Sequence, residues 1–333
     1  MSLSIVTVCM NRSHHLLQSA PRVASLPWHT EHLVVDWSSI QPLRRELLPP
    51  DPRLRLLRVE GEPEWNLCRA YNFAVAQSSG EVILKLDADA WPSARFDPGA
   101  PQLGEAGRPC AFGSGGDGRK GQILVARCLF EAVGGFHELL VGYGFDDKDL
   151  RVRLTQLLAQ EPAWIPADWL ELISHTDAER AGGQTGGGAL GASRGLATMR
   201  ASRLANRLVA AHAPWGAGAR HSSYAREVGG AWRLVGGSRP QLEVEVADEI
   251  AHARRMTFWS CFLAIPDIFL EELPVKLVPP PRSGQWPVGW WHRLWWHSGR
   301  RLLHAPSLLL SLGRGRLARG RRSDGRGSLD QGR

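Results

Sequence analysis

The sequence predicts an α/β fold: a mixed, mainly parallel sheet flanked by helices, with a helical C-terminal extension. Three observations predict it. Short apolar or β-branched runs recur at residues 4–9 (SIVTVC), 32–35 (HLVV), 54–59 (LRLLRV) and 81–86 (EVILKL), the composition of buried strands. Helical patterns at 11–20 and 65–77 intervene, and strands alternating with helices at this spacing pair in parallel. Aspartates stand where two of the strands end, at Asp36 and in Asp87-Ala88-Asp89. Ligands of open parallel sheets gather at the carboxyl ends of strands.

Taken in order, the first strand is followed by a helix that Pro21 is expected to bound. The helix over 65–77 places Leu67, Ala70, Tyr71, Ala74 and Val75 on one face and ends at Ser78, Ser79 and Gly80. Residues 113–118 (GSGGDG) satisfy a dinucleotide-binding pattern on paper. The strand-like QILVA follows where a helix is required, so this is read as a flexible turn. Residues 146–158 form an amphipathic helix with Leu150, Leu154, Leu157 and Leu158 on one side. A further strand over 171–174 ends at His175. Residues 182–191 hold six glycines and are a candidate lid. Helical stretches over 198–211 and 244–262 follow. Pro279-Pro280-Pro281 marks a boundary, and Arg, Gly and Ser dominate from residue 313 onward, which predicts disorder there. Three regions are expected: a catalytic domain over 1–197, a helical extension over 198–281 and a Trp/Arg-rich tail over 282–333.

The 333 residues are 43% hydrophobic, enough to bury a sizeable core. The net charge of +7 is unevenly spread: residues 281–333 carry +9, leaving the first 280 residues at −2. Basicity is therefore a property of the tail, and a nucleic-acid function for the folded part is disfavoured. Five cysteines without paired spacing give neither a zinc site nor a disulfide framework. No leader pattern precedes the first strand and no long uncharged apolar run is present, so a cytoplasmic protein is expected.

Asp87 and Asp89 concentrate negative charge at the open end of a buried strand. A hard divalent cation, Mn2+ or Mg2+, suits such a pair when substrate phosphate oxygens complete its shell. Alone, the triplet is also an ordinary acidic turn. The whole block over 65–91, WNLCRAYNFAVAQSSGEVILKLDADAW, resembles the inverting glycosyltransferases of the GT-A (Rossmann-like) fold, both the large family 2 and the β-1,4-galactosyltransferase family. The shared features are Arg69 and Asn72 on the helix, Gly80-Glu81, the apolar strand and the DxD triplet. A second block over 134–154, GGFHELLVGYGFDDKDLRVRL, resembles the galactosyltransferase-type motif, in which an acidic cluster opens a helix.

The resemblance covers residues 3–180 and implies an inverting transfer from a nucleotide-sugar, UDP-linked hexose or hexosamine, to an acceptor hydroxyl. It implies Asp147 as the general base and Asp146 as the acceptor-binding acid. It implies Asp87, Asp89 and His175 as metal ligands. Thr7, Asn11, Arg12, Asp36, Arg69 and Asn72, with Asp87, would contact the donor. Physical reasoning runs the same way for Asp147, since carboxylates in a helix's first turn are favoured in ionised form by the macrodipole. N-terminal helix capping is the plainer role for Asp146, Asp147 and Asp149. Two positions depart from the motif: Lys148 stands where the cluster usually continues acidic, and Phe145 replaces a small residue. Both bear on the acceptor, expected to be a glycan or a lipid-linked molecule.

Two rival readings stand beside it: a silent nucleotide-sugar or glycan-binding module on the same fold, and a nucleotidyltransferase. The acidic set at Asp87, Asp89 and Asp147, with His175, argues against the first, and the cluster at residues 146–149 against the second. In the tail, Trp286, Trp290, Trp291, Trp295 and Trp296 are interleaved with Arg293, Arg300 and Arg301. Packing against the folded domain ranks first. Peripheral attachment to the inner face of an anionic membrane ranks second and nucleic acid last.

Overall fold

The computed structural model describes residues 2–105, 107–115, 118–174 and 189–262. Two compact units are distinguished. The first comprises Met1–Thr176 and Ala213–Leu242, the second Asp177–His212 and Glu243–Arg333.

The first unit is built on β1 (Leu3–Cys9), β2 (Glu31–Trp37), β3 (Leu54–Glu60), β4 (Val82–Asp87), β5 (Ala90–Pro92), β6 (Gly104–Glu105), β7 (Arg108–Gly113), β8 (Ile123–Ala126), β9 (Ala163–Ile165), β10 (Leu170–Leu172), β11 (Tyr224–Arg226) and β12 (Trp232–Leu234). Ten of these form one sheet in the order β11-β12-β3-β2-β1-β4-β8-β7-β6, with β9 beside β7. β3, β2, β1 and β4 run parallel. β8 turns antiparallel against β4, and β7 against β8. The sheet is therefore mixed with a parallel centre, as expected. Every residue of β1 and β2 is buried, because helices cover both faces of the centre and leave no solvent side on which to alternate.

On one face lies α1 (Ser13–Ala24), directing Leu16, Ala20 and Val23 inward at helical spacing. Pro21 lies inside α1 rather than bounding it. It forfeits one backbone hydrogen bond, and the buried Val23 holds the last turn against Leu3, Ile5, Leu84 and Leu86. The other face carries α2 (Leu67–Gln77), α3 (Arg127–Ala132) and α4 (Asp146–Leu158). Tyr71, Phe130, Phe136 and Leu150 close there over Ile83, Lys85 and Val125.

α2 is fixed at both ends. Asn66 caps it by accepting from Arg69 N at 2.9 Å. At the far end the Arg127 guanidinium donates to the carbonyls of Val75, Ser78 and Gly80 at 2.9, 2.9 and 2.7 Å, satisfying acceptors the helix leaves open. Gly80 is required, since a Cβ there would lie 2.5 Å from Ser4 N. The Gly-Glu pair of the sequence motif is thus a seam between α2 and β1: Glu81 accepts from Ser2 N, and Gly80 N donates to Ser4 Oγ.

The turn over 113–118 is tight at its described ends. A Cβ on Gly113 would lie 1.9 Å from Arg119 O, and Gly118 has φ +91°. Residues 116–117 lie outside the described residues. In the second unit α5 (Ala189–His212) and α6 (Val244–Phe262) pack together. The helix expected from residue 198 begins nine residues earlier, at the end of the glycine-rich run. Within the expected extension, residues 198–212 and 244–262 are helical, and 263–281 lie outside the described residues. Residues 213–242 return to the first unit, where β11 and β12 form a hairpin beside β3.

Candidate active site

The site forms where β4 ends opposite the first turn of α4. Residues two apart on a strand share a face, so Lys85 and Asp87 both project toward α2. Lys85 Nζ lies 2.9 Å from Asp87 Oδ1 and donates to Gly121 O at 2.5 Å, with its side chain 3% exposed. The Tyr71 ring lies 4.7 Å from the ammonium, and the Tyr71 hydroxyl donates to Leu86 O at 2.8 Å and faces Asp87 Oδ1 at 3.3 Å. Gln122 completes the setting of Asp87. Its Oε1 accepts from Asp87 N and its Nε2 donates to Asp87 Oδ2, both at 2.8 Å.

The approach to α4 is left-handed: Gly142, Gly144 and Phe145 have φ of +85°, +83° and +78°. Phe145 is not glycine, so its conformation stores about 1–2 kcal/mol of strain. The sharp turn starts the helix on Asp146 and Asp147. Around Gly121 the two halves of the site meet. A Cβ there would lie 3.1 Å from Asp87 Oδ2, 3.6 Å from Asp147 Oδ2 and 3.6 Å from Lys85 Nζ. A side chain at this position would press on Asp87, so glycine lets the three groups converge.

Burial opposes ionisation of Asp87, but the Lys85 ammonium and the bonds from Gln122 and Tyr71 prevail and hold its pKa below the usual value. Asp147 goes the other way. Burial, then repulsion from Asp146 and Asp87, pushes it well above the ordinary aspartate value despite Lys85. Asp146 is raised too, chiefly by burial. At Asp147 burial and crowding therefore outweigh the helix macrodipole, and its Oδ1 is buried without a hydrogen bond. Asp149 serves the scaffold: both side-chain bonds from Arg153, at 2.6 and 2.9 Å, fall on its Oδ2, while Arg153 also donates to Val133 O and Gly135 O.

Several expected donor contacts belong to the scaffold in this structure. Arg69 is buried, and its Nη1 lies 2.7 Å from Glu62 Oε1, with Glu62 also accepting from Tyr224 at 2.6 Å. Asn72 exchanges bonds with Phe136 N and O at 2.8 Å each and donates to Glu138 at 3.0 Å; it clamps α2 to the Gly-Gly-Phe segment. Asp36 is 1% exposed and accepts from Ser39 N, Leu43 N and Arg58 Nη1, which ties the loop after β2. Thr7 is buried against His32 Nε2 at 3.2 Å. Their polar groups were readable in the sequence, but their partners come from other segments.

Asn11 and Arg12 do lie at the carboxyl end of β1. Asn11 has φ +57° and accepts from Ile40 N at 2.8 Å, joining the β1 and β2 ends. Arg12 precedes α1 and makes no ion pair among the described residues. Asp89 is half-buried, and its carbonyl accepts from Ile173 N at 2.8 Å. His175 lies outside the described residues, as does most of the 182–191 candidate lid. Among the described residues no group of three His, Cys, Asp or Glu side chains is close enough to hold a metal. The donors present are carboxylate oxygens. Asp87 Oδ2 has one bonded partner and the side chain is 34% exposed, so it retains acceptor capacity. That fits a hard divalent ion whose shell is completed by phosphate.

Lys85, Tyr71 and Gln122 were missed as site residues. For Lys85 a signal existed: a lysine two residues before Asp87 in an otherwise apolar strand must share the face of that aspartate.

No protein-family profile matches the chain, and no curated protein matches it. Among solved structures it is similar to the mannosyltransferase of Pyrobaculum calidifontis, solved with GDP-Man and Mn2+ (TM-score 0.45, 15% identity, 92% of this chain and 84% of that one). It is also similar to the glucosyl-3-phosphoglycerate synthase of Mycobacterium tuberculosis, solved with Mn2+, UDP and glucosyl-3-phosphoglycerate (0.43, 17%, 55% and 76%). A third is the catalytic domain of Drosophila β1,4-galactosyltransferase 7 with xylobiose (0.36, 15%, 54% and 73%). These likenesses are distant.

Proposed function

We propose that this chain is a metal-dependent, inverting glycosyltransferase of the GT-A class, taking a hexose or hexosamine from a nucleoside-diphosphate sugar, UDP-linked, to an acceptor hydroxyl on a glycan or a lipid-linked molecule. The observation that carries the reading is the convergence of Asp87, at the end of β4, and Asp147, in the first turn of α4, on Gly121, where a Cβ would lie 3.1 and 3.6 Å from their Oδ2 atoms. A strand-end acidic pair suits a metal-bound diphosphate, and a second carboxylate beside the same turn suits proton removal.

Asp89 and Asp87, with His175, would hold Mn2+ or Mg2+; Ile173, two residues before His175, reaches Asp89 O. When bound, the ion supplies Lewis-acid stabilisation of the leaving diphosphate. Gln122 and Lys85 hold Asp87 in position. Asp147 accepts the proton of the acceptor hydroxyl, whose oxygen attacks the anomeric carbon opposite the nucleotide. Asp146 orients the acceptor. Asn11 and Arg12, at the end of β1, contact the donor's nucleotide portion, whereas Asp36, Arg69, Asn72 and Thr7 shape the pocket behind it. The Trp/Arg-rich tail lies outside the described residues; were its second-ranked role, attachment to an anionic membrane, to hold, it would suit a lipid-linked acceptor. Among the described residues no helix is long and apolar enough to cross a membrane.

The reading is tested by incubating the protein with UDP-sugars, Mn2+ and acceptor candidates and following UDP release, with the product's anomeric configuration read by NMR. Inversion, lost in Asp147→Asn, is expected. Retention of configuration would overturn the mechanism.

A further inference from the structure

Lys85 is nearly fully buried beside three carboxylates. Its ammonium has two oxygens at hydrogen-bond distance, Asp87 Oδ1 at 2.9 Å and Gly121 O at 2.5 Å. The Tyr71 ring lies 4.7 Å away, and Asp147 Oδ2 borders the same space at Gly121. A carboxylate oxygen, a backbone carbonyl and a second carboxylate are the donors a hard divalent ion selects. Here the first two already hold a cation, fixed to the chain by its own stem, and the third lies beside the same turn at Gly121. A divalent ion on the same oxygens would face the ammonium at close range, where little water screens the repulsion.

We propose that Lys85 is a positioning residue acting as a tethered cation: it fills the inner end of the acidic cluster, holds Asp87 and the 118–121 turn in place without metal, and confines divalent-ion binding to the outer, Asp89 side, where the diphosphate must complete the shell. The part concerning the diphosphate rests on the proposed donor reading; the part concerning the inner oxygens does not. Metal uptake thereby depends on nucleotide, and the free enzyme keeps its carboxylates arranged while holding divalent ions weakly.

The test is the binding of Mn2+ alone, without nucleotide, to the full chain, followed by electron paramagnetic resonance of the free ion. Wild type should bind weakly. Lys85→Met removes the positive charge and frees the inner oxygens, and Mn2+ should bind about tenfold more tightly or better. Lys85→Arg, which keeps the charge, should bind as weakly as wild type. Adding Asp87→Asn to Lys85→Met should abolish the gain. A lysine with a purely structural role would lower metal affinity or leave it unchanged when replaced. Folding is checked by a cooperative thermal melt. If Lys85→Met does not fold, Lys85→Gln keeps the stem and an amide donor and carries the same comparison. A folded, uncharged variant that binds Mn2+ no more tightly than wild type overturns the proposal. That outcome leaves UDP-sugar binding by the wild type untouched, so the two readings fail separately.

Discussion

Gln122 grips Asp87 twice, taking its backbone N–H on Oε1 and giving Nε2–H to Oδ2, both at 2.8 Å. Because Gln122 precedes β8 and Asp87 ends β4, the pair ties the antiparallel half of the sheet to its parallel centre at the proposed metal site. Gln122→Ala should lower the affinity for UDP-sugar with Mn2+ by about tenfold, since each lost bond is worth about 0.5–1.5 kcal/mol, more to a charged group. Thermal stability should fall only modestly. Calorimetric titration checks it; unchanged affinity would place Asp87 outside the donor site.

Asp147→Asn keeps the shape of the first turn of α4 and removes the base. Donor binding should survive while turnover falls by about 100-fold or more, the usual contribution of a positioned base. Initial rates at saturating donor, set beside donor affinity, separate the two effects. Equal loss of both would show that Asp147 holds the donor instead.

The Arg69–Glu62 pair makes the opposite prediction. Both side chains are buried, so Arg69→Met strands an unpaired carboxylate and should cost about 3–5 kcal/mol of stability. Donor affinity of the protein that remains folded should not change. Denaturant unfolding and titration below the melting transition measure both; a folded variant that no longer binds donor would restore Arg69 as a diphosphate contact.

The histidines under the sheet give a pH prediction. Burial, with Arg53 adding to it, pushes the His29 pKa down to about 4, and burial with His29 pushes His32 down to about 3. The unfolded chain takes up these protons from about pH 6.5 downward while the folded chain does not. Stability is therefore lost as pH falls from about 6.5 toward 4, by about 1.4 kcal/mol per pH unit for each histidine. Substitution of His32 by Gln removes one contribution. The stability difference between wild type and variant should shrink with that slope below about pH 6.5, as denaturant unfolding at several pH values would show. A difference independent of pH would mean that His32 is protonated in the fold.

The elements at the centre of the sheet were legible because their signals are local. β1 and β4 are mainly apolar, β-branched runs, and Asp87 and Asp147 sit at element ends that the pattern marks. The scaffold partners of Arg69, Asn72 and Asp36 were not legible because they stand in other segments: Glu62 lies seven residues away, Phe136 sixty-four and Arg58 twenty-two. A polar residue near a strand end looks the same in sequence whether it meets ligand or scaffold. Three-residue strands such as β11 and β12 carry too little periodicity to announce themselves, so the return of residues 213–242 to the sheet was hidden in what looked like a helical extension.

The central claim is a metal-dependent diphosphate site at Asp87 and Asp89, and the most direct measurement is calorimetric titration of UDP-sugar with Mn2+ and with chelator, on wild type and Asp89→Ala. Binding by the wild type only with Mn2+, abolished in Asp89→Ala, is the predicted result. Binding that persists in chelator, or that Asp89→Ala retains in full, would contradict it.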